Sequence, residues 1–137
     1  HSRELAKYGW KLNRDSVMGS YLVGLLLGKK AVDKNVKQAV LDIAPYNPTK
    51  GSRLYAVLQG ALAAGMQIPH SKEVLPGEDR VRGAHVEQYA KQLDQSRWTK
   101  QFPQYLKQNI KPTEVSKHVD AVKQTILKGI KPASQVK

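Results

Sequence analysis

An apolar helical segment that also carries a stripe of very small residues sets the strongest limit on the fold of this chain. Between residues 16 and 34, apolar side chains recur at three- and four-residue spacing, which is typical of an amphipathic helix. Ser20, Gly24 and Gly28 fall four residues apart and form a second, thin stripe where another backbone can approach closely. We interpret this stripe as tight packing of the helix on a sheet. A membrane dimer motif is disfavoured because the apolar run Val17–Leu27 is about half the length of a spanning helix.

Two short apolar segments on either side of a second helical segment are predicted to be strands. Residues 39–44 form a brief apolar run closed by Pro45, and residues 67–69 form the second segment, while residues 53–65 between them have helical spacing. This order predicts a parallel pair with a right-handed crossover. Two strands are too few for a stable sheet. The expected fold is therefore α/β with an incomplete sheet, and we expect the missing strands upstream of His1.

After Pro69 the sequence is predicted to be helical. The predicted helices cover residues 83–93, the region around residues 98–106 with an interruption at Pro103, and residues 112–129. We divide the chain into a core at residues 1–93, truncated on its N-terminal side, and a helical C-terminal extension of the same domain at residues 94–137.

The charge of the chain indicates a polyanionic partner. It has 23 Lys and Arg against 11 Asp and Glu, a net charge of +12 and a pI of about 10.0. Nucleic acid is the first candidate and an anionic membrane surface the second. Residues 99–137 hold eight basic and two acidic side chains, or +6 of the total, but part of this charge is a solvated helix face. The absence of cysteine excludes disulfides, thiolate zinc sites and cysteine nucleophiles.

Sequence patterns for metal binding or catalysis are weak, so we expect no cofactor and no metal. The four histidines are far apart, and His85 starts only the first half of a zinc deaminase signature, whose cysteines are absent. Ser52 lies in a turn that lacks the GxSxG pattern. Asp42 could be a catalytic carboxylate at a sheet edge, although one structural hydrogen bond explains it equally well. A small phosphate-handling enzyme using Asp42 with Lys50 remains an alternative.

The best candidate for a binding site is the loop at residues 48–53. It precedes a predicted helix, so that backbone N–H groups point into it beside the positive end of the helix dipole. Two basic side chains add charge and two hydroxyls add donors, which suits a phosphate of an RNA backbone. The competing interpretation is an ordinary turn in which Ser52 caps the helix. The predicted RNA-binding residues of this loop are Thr49, Lys50, Gly51, Ser52 and Arg53.

A second candidate lies just before and inside a later helix start. Its predicted RNA-binding residues are Arg80, Arg82 and His85. The competing interpretation is that these side chains form salt bridges with acidic neighbours, which are Glu78, Asp79 and Glu87.

Seven short blocks of the sequence have a specific order and spacing. They are His1-Ser2 with Leu5–Trp10, Ser20–Leu25, Val40–Ile43, Pro48–Arg53, Gly60–Gly65, Ile68–His70 and Arg82–His85. Together they resemble the universal large-subunit ribosomal protein eighteen, a 5S ribosomal RNA-binding family, in its archaeal form. The resemblance runs from His1 to about Gly129, and the helical part after Tyr89 is similar to archaeal and eukaryotic members rather than to the shorter bacterial ones.

The resemblance implies a ribonuclease-H-like α/β sandwich of the translational machinery, with no enzymatic activity. It implies a cytoplasmic structural constituent of the large ribosomal subunit that binds 5S rRNA and attaches it to large-subunit rRNA. Its place would be the central protuberance, beside neighbouring large-subunit ribosomal proteins, with both candidate segments facing RNA. Nothing here matches the family's N-terminal basic arm and first strands, and Ala44-Pro45 departs from its glycine-containing turn. A basic RNA-binding module outside the ribosome and a membrane-surface protein also remain open as functions.

Overall fold

Helices dominate the architecture of residues 1–129, which are the residues described by the computed structural model. The α-helices are α1 (Val17–Asp33), α2 (Arg53–Ala63), α3 (Glu78–Arg82), α4 (Ala84–Gln92), α5 (Gln95–Gln101), α6 (Pro103–Lys107) and α7 (Val115–Leu127). Short 3-10 helices cover Ser2–Tyr8, Lys72–Val74 and Pro112–Glu114. The end of the predicted C-terminal extension, residues 130–137, lies outside the described residues.

The predicted α/β, ribonuclease-H-like sandwich is wrong for this structure, because residues 1–129 form no sheet. The two predicted strands meet only at one parallel bridge between Gln38 and Gln67. Gln67 N–H donates to the Lys37 carbonyl at 2.8 Å, and Ala39 N–H donates to the Gln67 carbonyl at 3.1 Å. The pairing goes no further because no third strand in the described part of the chain covers the apolar side chains beyond it: Val40 is 83% exposed.

The small-residue stripe of α1 packs on a helix and not on a sheet. A Cβ at Gly24 would overlap the Val57 carbonyl oxygen of α2, and one at Gly60 would overlap the Tyr21 carbonyl oxygen of α1. The predicted close approach is therefore confirmed, whereas the predicted partner is wrong. Because neither glycine has a side chain, the backbones of α1 and α2 come into direct contact.

Helix α7 completes the core on another side of α1. Its apolar seam is almost fully buried, with Val115, Val119, Val122 and Ile126 each 0–3% exposed. These side chains belong to one cluster with Leu22 and Leu25 of α1 and with Leu5 and Trp10 near the N-terminus. The predicted division of the chain at residue 93 remains a prediction.

Candidate nucleic-acid interface

The first predicted segment leads directly into α2, and the start of that helix is not capped by a side chain. Ser52 occupies the N-cap position, but its Oγ is buried and makes no hydrogen bond within residues 1–129. In the same described part, the N–H groups of Arg53 and Leu54 have no acceptor. The competing interpretation is therefore right about the N-cap position of Ser52, but the Ser52 hydroxyl does not cap the helix. The first turn of α2 keeps donors that an anion could use beside the positive end of the dipole.

The loop before α2 is attached to the 3-10 helix Lys72–Val74. Gly51 has a φ of 72°, a backbone conformation that favours glycine, and its N–H donates to the Val74 carbonyl at 2.8 Å. The Lys50 ammonium lies 2.8 Å from the Glu73 carboxylate. Because the Gly51 N–H is already used, Gly51 shapes the loop and does not itself offer a donor to a ligand.

Arg53 reaches in the opposite direction along the chain, to the turn before α1. Its guanidinium pairs with the Asp15 carboxylate and also donates to the Asp15 carbonyl at 3.3 Å. The side chains of Lys50 and Arg53 are 69% and 54% exposed, and Thr49 is exposed too. Exposed ion pairs contribute about 0–1 kcal/mol. Both cations could therefore exchange a carboxylate for a phosphate at small cost.

The second predicted segment spans α3 and the start of α4. Arg82 donates to the Asp120 carboxylate of α7 at 2.7 Å, and this hydrogen bond raises the pKa of the Arg82 guanidinium. Arg80 and His85 are exposed and form no ion pair within residues 1–129. The competing interpretation placed these side chains in salt bridges with Glu78, Asp79 or Glu87, but the carboxylate that Arg82 binds is that of Asp120.

Glu87, one of those expected partners, serves α7 instead. Its carboxylate accepts hydrogen bonds from the Ser116 N–H at 2.7 Å and from the Ser116 hydroxyl at 2.6 Å. It therefore caps the start of α7 from α4.

A cavity of about 450 Å³ separates Arg82 from α2. Charges of both signs line it, and the Lys123 ammonium lies 5.7 Å from the centre of the Tyr21 ring. The Gln59 Oε1 in its wall is buried without a partner in the described chain. The structure thus places the first segment beside residues 72–76 and places Arg82 against α7.

The partners of the predicted cations could not be found from the sequence. Glu73 lies 23 residues from Lys50, and Asp120 lies 38 residues from Arg82. No pattern of sequence spacing indicates such pairs, because they form only when separate helices pack.

The residues proposed for an enzyme are not assembled. The Asp42 carboxylate accepts the Ala44 N–H at 3.1 Å, a local turn, while Lys50 is paired with Glu73. Within residues 1–129, no group of three or more His, Asp or Glu side chains could hold a metal ion. No helix of this part combines the length and apolarity needed to cross a bilayer.

Comparison with known proteins gives a consistent result. No family model matches the chain. It is similar to the large ribosomal subunit protein uL18 of Aeropyrum pernix, at 43% identity over 98% of this chain and 65% of the relative. The chain is 45% identical to the uL18 protein of Methanococcus maripaludis, over 93% of this chain and 67% of the relative. It is also 45% identical to the uL18 protein of Caldivirga maquilingensis, over 92% of this chain and 63% of the relative. The chain thus spans about two thirds of the length of these curated relatives.

Proposed function

Because this chain belongs to the family of large ribosomal subunit protein uL18, we propose that it is a structural, non-enzymatic component of the large ribosomal subunit in the cytoplasm. The observation that carries this proposal is identity of 43–45% across almost the whole chain. The resemblance seen in the sequence blocks is thereby confirmed.

The finer proposal concerns the partners. The chain binds 5S rRNA and attaches it to large-subunit rRNA in the central protuberance, beside neighbouring large-subunit ribosomal proteins. A net charge of +12 supports an RNA partner, since phosphate neutralisation supplies much of the affinity of such proteins.

The contact residues proposed first are those of the loop before α2. The first turn of α2, which no side chain caps, offers N–H donors. The exposed cations of Lys50 and Arg53 lie beside this turn. Phosphate would replace Glu73 and Asp15 as their partner, and the exposed Thr49 adds a hydroxyl donor, whereas the Ser52 hydroxyl is buried and would have to turn outward to take part. Gly51 holds the loop in shape.

The contact residues proposed second are Arg80, Arg82 and His85. Arg80 and His85 are exposed, which leaves them accessible to a phosphate. Arg82 must leave Asp120, and their side chains are 57% and 39% exposed, so that solvent screens the pair.

The test measures binding of the chain to labelled 5S rRNA over a range of salt concentrations. Engagement of about four to six phosphates predicts that log affinity falls with log salt at a slope near about −4 to −5. The double variant K50Q/R53Q should weaken binding about tenfold and make the slope shallower by about two. The matched control K91Q/K100Q removes the same charge from α4 and α5 and should leave binding within about twofold.

Two results would contradict the proposal. Salt-independent binding would exclude a phosphate-dominated contact. Equal affinity for 5S rRNA and an unrelated structured RNA of the same length would favour an RNA-binding module outside the ribosome. The enzyme hypothesis has no supporting observation, since Asp42 and Lys50 have separate partners.

A further inference from the structure

A groove of about 550 Å³ lies between residues 11–14 and helix α6, and none of its lining residues belongs to either predicted segment. Its polar lining consists of three basic side chains and three amides, and contains no carboxylate. These residues are Lys11, Asn13, Arg14, Gln104, Lys107 and Gln108. Every charged group in the groove is therefore a cation.

Along one wall of the groove, buried side chains alternate with exposed ones, and the buried side chains fix the backbone. Trp10 and Leu12 are 2% and 5% exposed, whereas Lys11 and Asn13 between and after them are exposed. The Trp10 indole N–H donates to the Asn13 carbonyl at 3.3 Å. These contacts leave the backbone little conformational freedom. The exposed polar side chains therefore face solvent from a preorganised backbone.

The amide of Asn13 is held in place by a hydrogen bond to the backbone. Its Oδ1 accepts the Asp15 N–H at 2.9 Å, and its carbonyl also accepts the Ser16 hydroxyl at 2.9 Å. The amide NH₂ group donates no hydrogen bond within residues 1–129 and can donate to a ligand.

The opposite wall is one face of α6. Gln104 and Lys107 of α6, and Gln108 directly after the helix, follow at the three- and four-residue spacing that places side chains on the same side of a helix. The helix is anchored by Tyr105, whose ring packs edge-on against Phe102 with the centres 5.5 Å apart. Two further donors and a cation therefore face the first wall.

The positive charge of the groove is not neutralised locally. The carboxylates nearest in sequence to the three groove cations, Glu4, Asp15 and Glu114, pair with Lys30, Arg53 and Lys117. Within residues 1–129, none of the three groove cations forms an ion pair. The site thus offers uncompensated cations with amide donors, which is the chemistry that binds a chain of phosphates.

We propose that this groove binds the phosphodiester backbone of an RNA strand, as a contact separate from the loop before α2. The proposal rests on the proposed function, which supplies RNA as the partner. Lys11 and Lys107 would act as point charges from the two walls, and the Arg14 guanidinium can hold a phosphate through two hydrogen bonds. The amides would bond phosphate or ribose oxygens, so that the groove sets the register of the strand without reading its bases.

The test compares two triple variants that lose the same charge. K11Q/R14Q/K107Q empties the groove of cations, and K91Q/K100Q/K128Q removes three exposed lysines that do not line it. Binding to 5S rRNA is measured over a range of salt concentrations. The groove variant should bind about 10- to 100-fold more weakly at low salt, with a slope shallower by about two to three, while the control changes affinity by about threefold or less.

A second measurement needs no substitution. Acetylation of lysines with a chemical reagent is followed by mass spectrometry, with and without 5S rRNA. Lys11 and Lys107 should be protected by the RNA several-fold more than Lys100. Equal labelling of all three with RNA bound would overturn the proposal, whether or not the triple variant folds.

The outcomes separate the groove from the ribosomal assignment. If K50Q/R53Q binds 5S rRNA weakly and the groove variant binds it unchanged, the proposed role of the groove is overturned and the proposed function is retained. Equal affinity of the unaltered chain for 5S rRNA and an unrelated RNA, with both lost in the groove variant, would leave the groove and overturn the ribosomal assignment. Occupation of the groove by polyglutamate but not by RNA would assign it to an acidic protein segment and overturn the proposal.

Discussion

Gly24 of α1 and Gly60 of α2 lie at the crossing of these helices, and each occupies a place where a side chain would collide with the backbone of the other helix. A Cβ at Gly24 would overlap the Val57 carbonyl, and a Cβ at Gly60 would lie 2.6 Å from the Leu25 nitrogen. Contacts this short with backbone atoms can be relieved only by moving one helix. The position of α2, and of the loop at its N-terminus, therefore depends on these two glycines.

The substitution G60A is expected to destabilise the chain. Alanine has the better helix propensity by about 1 kcal/mol, but overpacking at the crossing costs about 1–3 kcal/mol and displaces α2. Urea unfolding should give a net loss of free energy of unfolding. The control G77A places a Cβ where nothing lies within 4 Å and should be close to neutral. A stabilised G60A would show that the helices can separate without cost.

We propose that α7 belongs to the same cooperative unit as α1, and I126A tests this. Ile126 is 1% exposed in the shared core, so that truncation should cost about 2–5 kcal/mol. Its neighbour Leu127 is 41% exposed, and L127A should cost less than about 1 kcal/mol. Circular dichroism and tryptophan fluorescence should report one shared transition, lowered in I126A. An unchanged fluorescence transition with a separate early loss of helix would make the C-terminal part an independent unit.

His118 predicts a pH dependence of stability. It stacks on Trp10 with ring centres 5.4 Å apart, and its Nε2 is buried without a partner in the described chain. Burial, aided by the nearby Lys11 charge, lowers the pKa of His118 below 6.5. The unfolded chain then binds the proton first, so that stability falls as pH drops through 6.5 toward the folded pKa.

The substitution H118F keeps the stacked ring and removes the proton site. The loss of unfolding free energy between about pH 7.5 and 5.5 should be smaller in H118F than in the unaltered chain. Denaturant titrations at several pH values measure this difference, and H85Q controls for the loss of a histidine as such. An identical pH profile in H118F would mean that another group causes the dependence.

The Arg82–Asp120 pair predicts opposite effects of its two partners on RNA binding. D120N releases the guanidinium and should raise 5S rRNA affinity about threefold, whereas R82Q should lower it by a similar factor. D94N removes one negative charge elsewhere and controls for the change in net charge. Filter binding at constant salt measures all three. If D120N weakens binding as R82Q does, the pair matters for structure and Arg82 is not a phosphate contact.

Elements governed by local chemistry were predicted well. Ser16 caps α1, with its Oγ accepting the Gly19 N–H at 3.0 Å, and this contact involves only neighbouring residues. Helix α7 also lies within residues 112–129, which the sequence predicts to be helical. The strand predicted at residues 39–44 does not form, because a strand depends on a distant segment and not only on neighbouring residues. A strand exists only with a partner, and Val40 pairs with no other segment of residues 1–129.

Part of the candidate site could also be predicted from the sequence, and part depends on tertiary packing. The position of the loop before α2 follows from the chain itself, since prolines and a glycine precede a helical pattern. That Lys50 meets Glu73, and that Gly51 donates to Val74, depends on how two distant segments pack. The groove beside α6 could not be predicted either, because its walls come from residues about ninety positions apart.

The charge, the helical segments and the family follow from the amino-acid sequence alone, because composition, short-range periodicity and identity to relatives need no folded chain. The folded molecule was needed to show that the glycine stripe of α1 meets Gly60 of another helix, and which cations face carboxylates and which face solvent. Such pairings depend on the relative position of whole helices. That position follows from the packing of many side chains at once, and no single stretch of sequence contains it.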